Sequence, residues 1–299
     1  MNLKESTLEV LKKYVPQEFL DKREHYFEIM DKTREIFPSD NWNSFIESLV
    51  PINLDARQVF VDNNSYNNPQ YFQRYNNIMK NKIYKGETYY EILQRFNENP
   101  IFPTQSIQRC RYDTVQEALN ILKYIDIDKP FTMLDIGGGY GRLAEYFLKY
   151  PNCTYYMSDT FTFSNIMSEW YLSHVVDEKQ IKFLDDNTFK RLNFIPTNQI
   201  ESCMKNTQFN FVINIHSMDE MNIPTISKFL SIINNNNVSY VYLKNHFTTY
   251  ALPGFGNSDR INWEYLIPKN WQPLESNYCA EEEGFGTIKG YEKIFKIEL

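Results

Sequence analysis

A cluster of glycines between an apolar run and a helical pattern constrains this chain more than any other feature. Phe131 to Ile136 reads as a strand, and Gly137-Gly138-Gly139-Tyr140-Gly141 follows it directly. Arg142 to Tyr150 then places Leu143, Tyr146 and Phe147 on one helical face. Glycines at a strand-to-helix junction allow a tight turn and let the backbone approach a ligand closely. The helix that follows presents unpaired N–H groups to the same point.

The pattern on either side fits an α/β domain. From Lys129 onward, strand and helix signals alternate, as in βαβ units around a parallel sheet. Thr154 to Met157, Leu192 to Ile195, Phe209 to Ile215 and Val238 to Leu243 continue the strand series. Phe163 to Val176 is a helix with Ile166, Met167 and Trp170 at offsets of three and four. Tyr278 to Leu299 reads as two strands around Gly284-Phe285-Gly286. The expectation is a Rossmann-like, mostly parallel, seven-stranded sheet with a C-terminal antiparallel hairpin, spanning 126–299. Residues 1–125 carry helical spacing at Leu8, Leu11 and Val15 and are broken up by Pro38, Pro51, Pro69, Pro100 and Pro103. They predict a mainly helical N-terminal region acting as a lid or dimerisation element. A helix over Thr114 to Tyr124 shows Val115, Ala118, Leu119 and Leu122 as one stripe.

The glycine loop discriminates between ligands. A dinucleotide fingerprint, G-x-G-x-x-G, would be met by Gly137 and Gly139, but Arg142 stands where its third glycine belongs. Asp135, two residues before the first glycine, would repel a pyrophosphate and suits a ligand with an ammonium and a sulfonium charge. The pattern therefore favours S-adenosyl-L-methionine over NAD. Asp159 ends the second strand, where a carboxylate can accept from both ribose hydroxyls, and Thr160 adjoins it. Thr197 and Asn198, after the third strand, are candidates for the adenine side; a plain turn is the alternative. An NAD-dependent sugar-modifying enzyme and a non-catalytic scaffold retaining the fold remain the competing classes.

On these residues the chain from about Lys129 to its end resembles class I S-adenosylmethionine-dependent methyltransferases. More narrowly, it resembles the sugar O-methyltransferases of bacterial surface-polysaccharide gene clusters. The likeness rests on Leu134-Asp135-Ile136-Gly137-Gly138-Gly139-Tyr140-Gly141 and on Asn214-Ile215-His216-Ser217-Met218-Asp219-Glu220-Met221. It implies a methyltransferase with a sugar or glycan-precursor acceptor. It also implies cofactor contacts from Asp135, Gly137, Gly138, Gly139, Asp159, Thr160, Thr197, Asn198 and Asn214. Catechol-type members of the superfamily hold a divalent cation with acids after the fourth and fifth strands. Here Asp219 and Asn245 match roughly, but Lys244 replaces the other acid, so a metal-independent site is expected.

Methyl transfer to a hydroxyl needs a base, and a neutral imidazole suits the task. His216 and His246 lie at strand ends; His246 is the preferred base and His216 the contacting residue. Asp219 and Glu220 could orient a histidine or act as the base themselves. His174 sits on an apolar stripe and reads as a packing residue. Leu252-Pro253-Gly254-Phe255-Gly256-Asn257 could close over an acceptor, and Glu281 to Glu283 face solvent or a polyol.

Composition bounds the partners. The 299 residues carry a net charge of -7, with no basic excess to meet nucleic-acid phosphates. Tyr 22, Phe 22 and Trp 4 supply an aromatic-rich core or stacking platforms for a planar or sugar acceptor. Cys110, Cys153, Cys203 and Cys279 form no metal or disulfide spacing. With no apolar signal segment and no membrane-length run, a cytoplasmic protein is expected. It acts on a small-molecule or glycan acceptor, with a homodimer as an option.

Overall fold

The fold is that of a computed structural model describing residues 3–13, 15–36, 69–96, 109–184, 188–218, 221–246, 263–283 and 286–298. Helices α1 (Leu3–Leu11), α2 (Gln17–Asp21) and α3 (Tyr26–Ile36) open the chain. Helix α4 (Pro69–Asn81), a small hairpin of β1 (Ile83–Tyr84) with β2 (Glu87–Thr88), and helices α5 (Tyr89–Phe96) and α6 (Arg109–Leu122) follow. The α/β part runs β3 (Phe131–Ile136), α7 (Arg142–Phe147), β4 (Cys153–Ser158) and α8 (Thr162–Leu172). It continues through β5 (Ile181–Lys182), β6 (Leu192–Phe194), α9 (Ile200–Asn206), β7 (Phe209–Ile215) and α10 (Ile223–Asn234). Strands β8 (Val238–His246), β9 (Trp271–Glu283) and β10 (Gly286–Ile297) end it.

The large sheet has eight strands in the order β5-β6-β4-β3-β7-β8-β10-β9. Every pair from β5 to β8 is parallel, and β10 runs antiparallel to both β8 and β9. This is the expected Rossmann-like sheet with one strand more than the sequence pattern implies. The addition is Ile181–Lys182, too short to show a period but parallel to β6. The terminal hairpin also begins earlier than Tyr278, at Trp271. Pro273 lies in the edge strand β9, the kind of strand that tolerates a proline, and Leu274 is the extra residue of a bulge opposite Ile294 and Phe295.

Strand order reverses at β3, which lies between β4 and β7. The carboxyl ends on either side of that reversal open the crevice where α/β sheets receive ligands. β3 and β7 are buried along nearly their whole length, as central parallel strands must be. Helix α10 is started by Asn222, whose side chain accepts from the Thr225 N–H, with Pro224 in the first turn.

The N-terminal helices join the sheet's hydrophobic core. Val10, Leu11, Met30 and the α6 stripe of Val115, Ala118, Leu119 and Leu122 are all buried. They share one cluster with Phe131, Met133 and Tyr155. An ion pair anchors this packing: Arg23 Nε donates to Glu169 Oε2 at 2.6 Å, both side chains being buried. Tyr26 Oη and the Leu184 N–H also donate to that carboxylate, and the Arg23 guanidinium lies 3.3 Å from the centre of the Phe19 ring. His174 departs from its expected packing role. It lies just past the end of α8 and is exposed, its Nδ1 meeting the Trp170 carbonyl oxygen at 2.8 Å. Among the described residues, no helix is long and apolar enough to cross a membrane.

Candidate functional site

A cleft of about 420 Å³ opens at the carboxyl ends of β3, β4 and β7. Its floor is the glycine loop. The Gly137 N–H donates to the Ser158 carbonyl oxygen at 2.8 Å, tying the loop to β4. Gly137, Gly139 and Gly141 all have positive φ, at 75°, 56° and 90°. Two of the glycines are also required by space. A Cβ on Gly137 would sit 2.0 Å from Ser217 Oγ, and one on Gly141 would sit 2.7 Å from Leu172 Cδ1. Gly141 therefore permits the close helix packing that a dinucleotide fingerprint assigns to its third glycine, one residue earlier than that pattern expects.

Two carboxylates flank the loop. Asp135 is 3% exposed and accepts from Tyr155 Oη at 2.8 Å. Burial pushes its pKa up to about 7, against that hydrogen bond and the positive charge of Arg142. Asp159 accepts from the Gly139 N–H at 3.2 Å and the Phe161 N–H at 3.0 Å. Burial raises it to about 6, with these backbone donors opposing. Thr160 joins Asp159 on the wall, and Thr197 lies opposite with its Oγ1 3.0 Å from Ser158 Oγ. Asn198 is exposed and lies outside the wall.

Asn214 is fully buried and sits behind the wall, where it acts as a joint. Its Nδ2 donates to the Ile136 carbonyl oxygen at 2.7 Å. Its Oδ1 accepts from the Met218 N–H and from Asn245 Nδ2, each at 3.0 Å. One side chain thus fixes the end of β3, the turn after β7 and the end of β8. That turn carries His216 and Ser217 onto the cleft wall. His216 holds φ of 51°, a left-handed conformation costly for a residue with a Cβ, while its N–H donates to the Lys244 carbonyl oxygen at 2.8 Å. Asp219 and Glu220 lie outside the described residues, as does the segment Leu252 to Asn257. His246 ends β8 with its backbone opposite Gly290, and its side chain is likewise outside the description.

The sequence pattern did not foresee the charged cluster beside this cleft. Glu117 on α6 is 1% exposed, yet it faces two cations. Its Oε2 accepts from Arg142 Nη1 at 2.6 Å and its Oε1 from Arg142 Nη2 at 3.1 Å. Oε1 also accepts from Lys244 Nζ at 2.8 Å. Burial alone would raise this acid, but the charges of Arg142 and Lys244 prevail and hold it at about 2. Asp113 stands 3.9 Å from Lys244. The one available signal was a pair of acids, Asp113 and Glu117, on a helix whose apolar stripe was otherwise clear. Among the described residues, no three His, Cys, Asp or Glu converge as a metal site.

No family model matches this chain, and no curated protein matches it. Solved structures do. The N-methyltransferase NodS from Bradyrhizobium japonicum, in complex with S-adenosyl-L-homocysteine, is similar at 10% identity and TM-score 0.48, over 71% of this chain and 100% of that one. A methyltransferase from Methanosarcina mazei, described as SAM-dependent, gives 14% identity and TM-score 0.44, over 60% and 97%. TehB from Haemophilus influenzae gives 16% and 0.44 over 61% of this chain, which spans only 62% of TehB. At such identities the likeness says nothing about which reaction this cleft performs.

Proposed function

We propose that the chain is an S-adenosyl-L-methionine-dependent O-methyltransferase acting on a sugar or glycan precursor. The observation that carries the cofactor is the pairing of the glycine loop with Asp135 and Asp159 in one cleft. Its volume lies in the range of small-ligand pockets. The donor set fits. Gly139 leaves open space above the loop, with nothing within 4 Å of a Cβ built on it. Asp159, on the cleft wall just after β4, would accept from ribose hydroxyls. Asp135, once ionised, would supply negative charge beside the loop, which favours a cationic ligand and disfavours a pyrophosphate.

S-adenosyl-L-methionine, when bound, supplies an electrophilic methyl group on a positively charged sulfur. The chain's own work is to orient the acceptor, exclude water and take the hydroxyl proton. His216 is on the wall and suited to contact cofactor or acceptor. His246, Asp219 and Glu220 follow the same strand ends and complete the set of candidate bases, with His246 preferred. No metal is invoked: Lys244 occupies the place of an acid, and its charge is already held by Glu117. The sugar acceptor rests on the motif running from Asn214 to Met221. A lid role for region 1–125 is supported by α3, which touches the turn Thr197–Gln199, and by Met30, whose sulfur lies 3.7 Å from Asn165 Nδ2.

Calorimetric titration with S-adenosyl-L-homocysteine tests the core of this proposal. Micromolar binding is expected, abolished by Gly139→Arg and much weakened by Asp159→Ala. Intact binding by both variants, or tight binding of NAD instead, would overturn it. His246→Ala is expected to keep cofactor affinity and lose turnover; a fully active variant would remove it as the base.

A further inference from the structure

We infer that Arg142 is the residue that reads the carboxylate of the cofactor's amino-acid tail, through one edge of its guanidinium. This rests on the S-adenosyl-L-methionine proposal and adds a specificity determinant to it. A guanidinium has five N–H groups arranged in a fixed plane. In Arg142 the end formed by Nη1 and Nη2 is taken by the two oxygens of Glu117, at 2.6 and 3.1 Å. The second Nη1 proton goes to Thr114 Oγ1 at 2.8 Å. What remains is the side edge, Nε–H with one Nη2–H, two parallel donors that match a carboxylate in two-point geometry. Among the described residues no protein acceptor meets that edge, and Arg142 lines the cleft.

The placement is rigid. Arg142 is the first residue of α7, fixed by the left-handed Gly141 before it and by Glu117 at its far end. A guanidinium clamped along one edge has already lost its side-chain freedom, so a ligand meeting the other edge bears little further ordering cost. Glu117 is shared between Arg142 and Lys244, and Lys244 also meets Asp113 at 3.9 Å, so Glu117 is not held by Arg142 alone. The glycine loop ends at this residue and both line one cleft, so an amino-acid tail bound over the loop would meet its side chain. Arginine at this position, which breaks a dinucleotide fingerprint, thus gains a purpose in a site built for an amino-acid-bearing nucleoside.

The test is a cycle between ligand and protein, read by binding calorimetry and independent of any acceptor. Three ligands are titrated into the wild-type chain and into Arg142→Lys, which keeps a cation beside Glu117 but loses the two-donor edge. They are S-adenosyl-L-homocysteine, its decarboxylated analogue and 5′-methylthioadenosine. Removing the ligand carboxylate is expected to weaken wild-type binding roughly 10- to 100-fold. The same removal is expected to cost Arg142→Lys no more than a few-fold. Equal affinity of the two proteins for 5′-methylthioadenosine would place the loss at the tail. An equal carboxylate penalty in both proteins overturns the inference while leaving the cofactor proposal standing. So does a matching loss of 5′-methylthioadenosine, which would make Arg142 a residue that only shapes the cleft. Failure of the wild type to bind S-adenosyl-L-homocysteine at all overturns the cofactor proposal itself.

Discussion

Glu117 and Arg142 form a two-point ion pair that joins the helix before the first parallel strand to the helix after it. The same carboxylate holds Lys244 at the end of β8, so three separated segments meet on one buried acid. Removing one partner of such a cluster leaves the others charged and dry, which is far more damaging than losing a surface pair. Glu117→Gln is therefore expected to destabilise the fold by about 3 to 5 kcal/mol. Urea unfolding of the two proteins measures this, and a difference below about 1 kcal/mol would show that water reaches both cations.

Gly137 and Gly139 both hold left-handed backbone, but only one is crowded. A methyl group on Gly137 collides with the side chain of Ser217, whereas one on Gly139 meets nothing within 4 Å. Gly139→Ala is expected to cost only about 1 to 2 kcal/mol, the conformational term alone. Gly137→Ala adds overpacking and is expected to cost about 3 kcal/mol or more. Adding Ser217→Gly should recover the difference, leaving a penalty like that at Gly139. Equal costs at both positions in thermal unfolding would mean that the turn after β7 yields freely.

How much of this was legible in the sequence depends on the range of each signal. The glycine loop and the strands from Phe131 to Leu243 follow from local period and turn chemistry, and they lie where those patterns place them; the terminal hairpin turns where its glycines place it but begins at Trp271, before the expected Tyr278. Ile181–Lys182 escaped because two residues carry no period. Asp135, Asp159, Thr160, Thr197 and His216 reach the cleft because strand ends position them. Asn214 and Asn198 were read from the same neighbourhood, but one turns inward as a joint and the other outward to solvent. Neighbourhood in sequence does not say which way a side chain faces at a strand end. Glu117 lies 25 residues before Arg142 and 127 before Lys244, so its role exists only after folding.

Arg23 and Glu169 give a pH-dependent prediction in the N-terminal packing. Burial raises Glu169 to about 7, even with the charge and hydrogen bond of Arg23 favouring ionisation. Without that arginine the acid would be harder still to ionise. Its folded pKa lies above its unfolded value, so it favours the folded state at low pH, and that advantage is lost as pH rises through about 7. Arg23→Met is therefore expected to be tolerated better at about pH 5.5 than at about pH 8.5, where burying the ionised acid alone costs several kcal/mol. Denaturant midpoints at the two pH values report it. A variant equally destabilised at both would mean that Glu169 reaches solvent once Arg23 is gone.

Asp135 and Asp159 make ligand binding itself pH-dependent, with a sign that depends on ligand charge. Both acids are raised by burial, to about 7 and about 6, so the ligand-free protein binds protons there near neutrality. By the same linkage these two acids stabilise the ligand-free fold below their ordinary range, and that contribution fades as pH climbs through about 6 to 7. A cation over the loop reverses the preference by favouring the carboxylates, so its binding must release protons. Affinity for S-adenosyl-L-methionine is expected to rise between about pH 5.5 and 7.5, by up to tenfold per unit for each proton released. S-adenosyl-L-homocysteine lacks the sulfur's positive charge, so its affinity should change less over the same span. Calorimetry in buffers of different ionisation enthalpy counts the protons directly. Parallel pH profiles for the two ligands would mean that neither carboxylate senses the sulfonium. A selective rise for the charged ligand means that the cleft favours substrate over spent product most strongly on the alkaline side of neutrality.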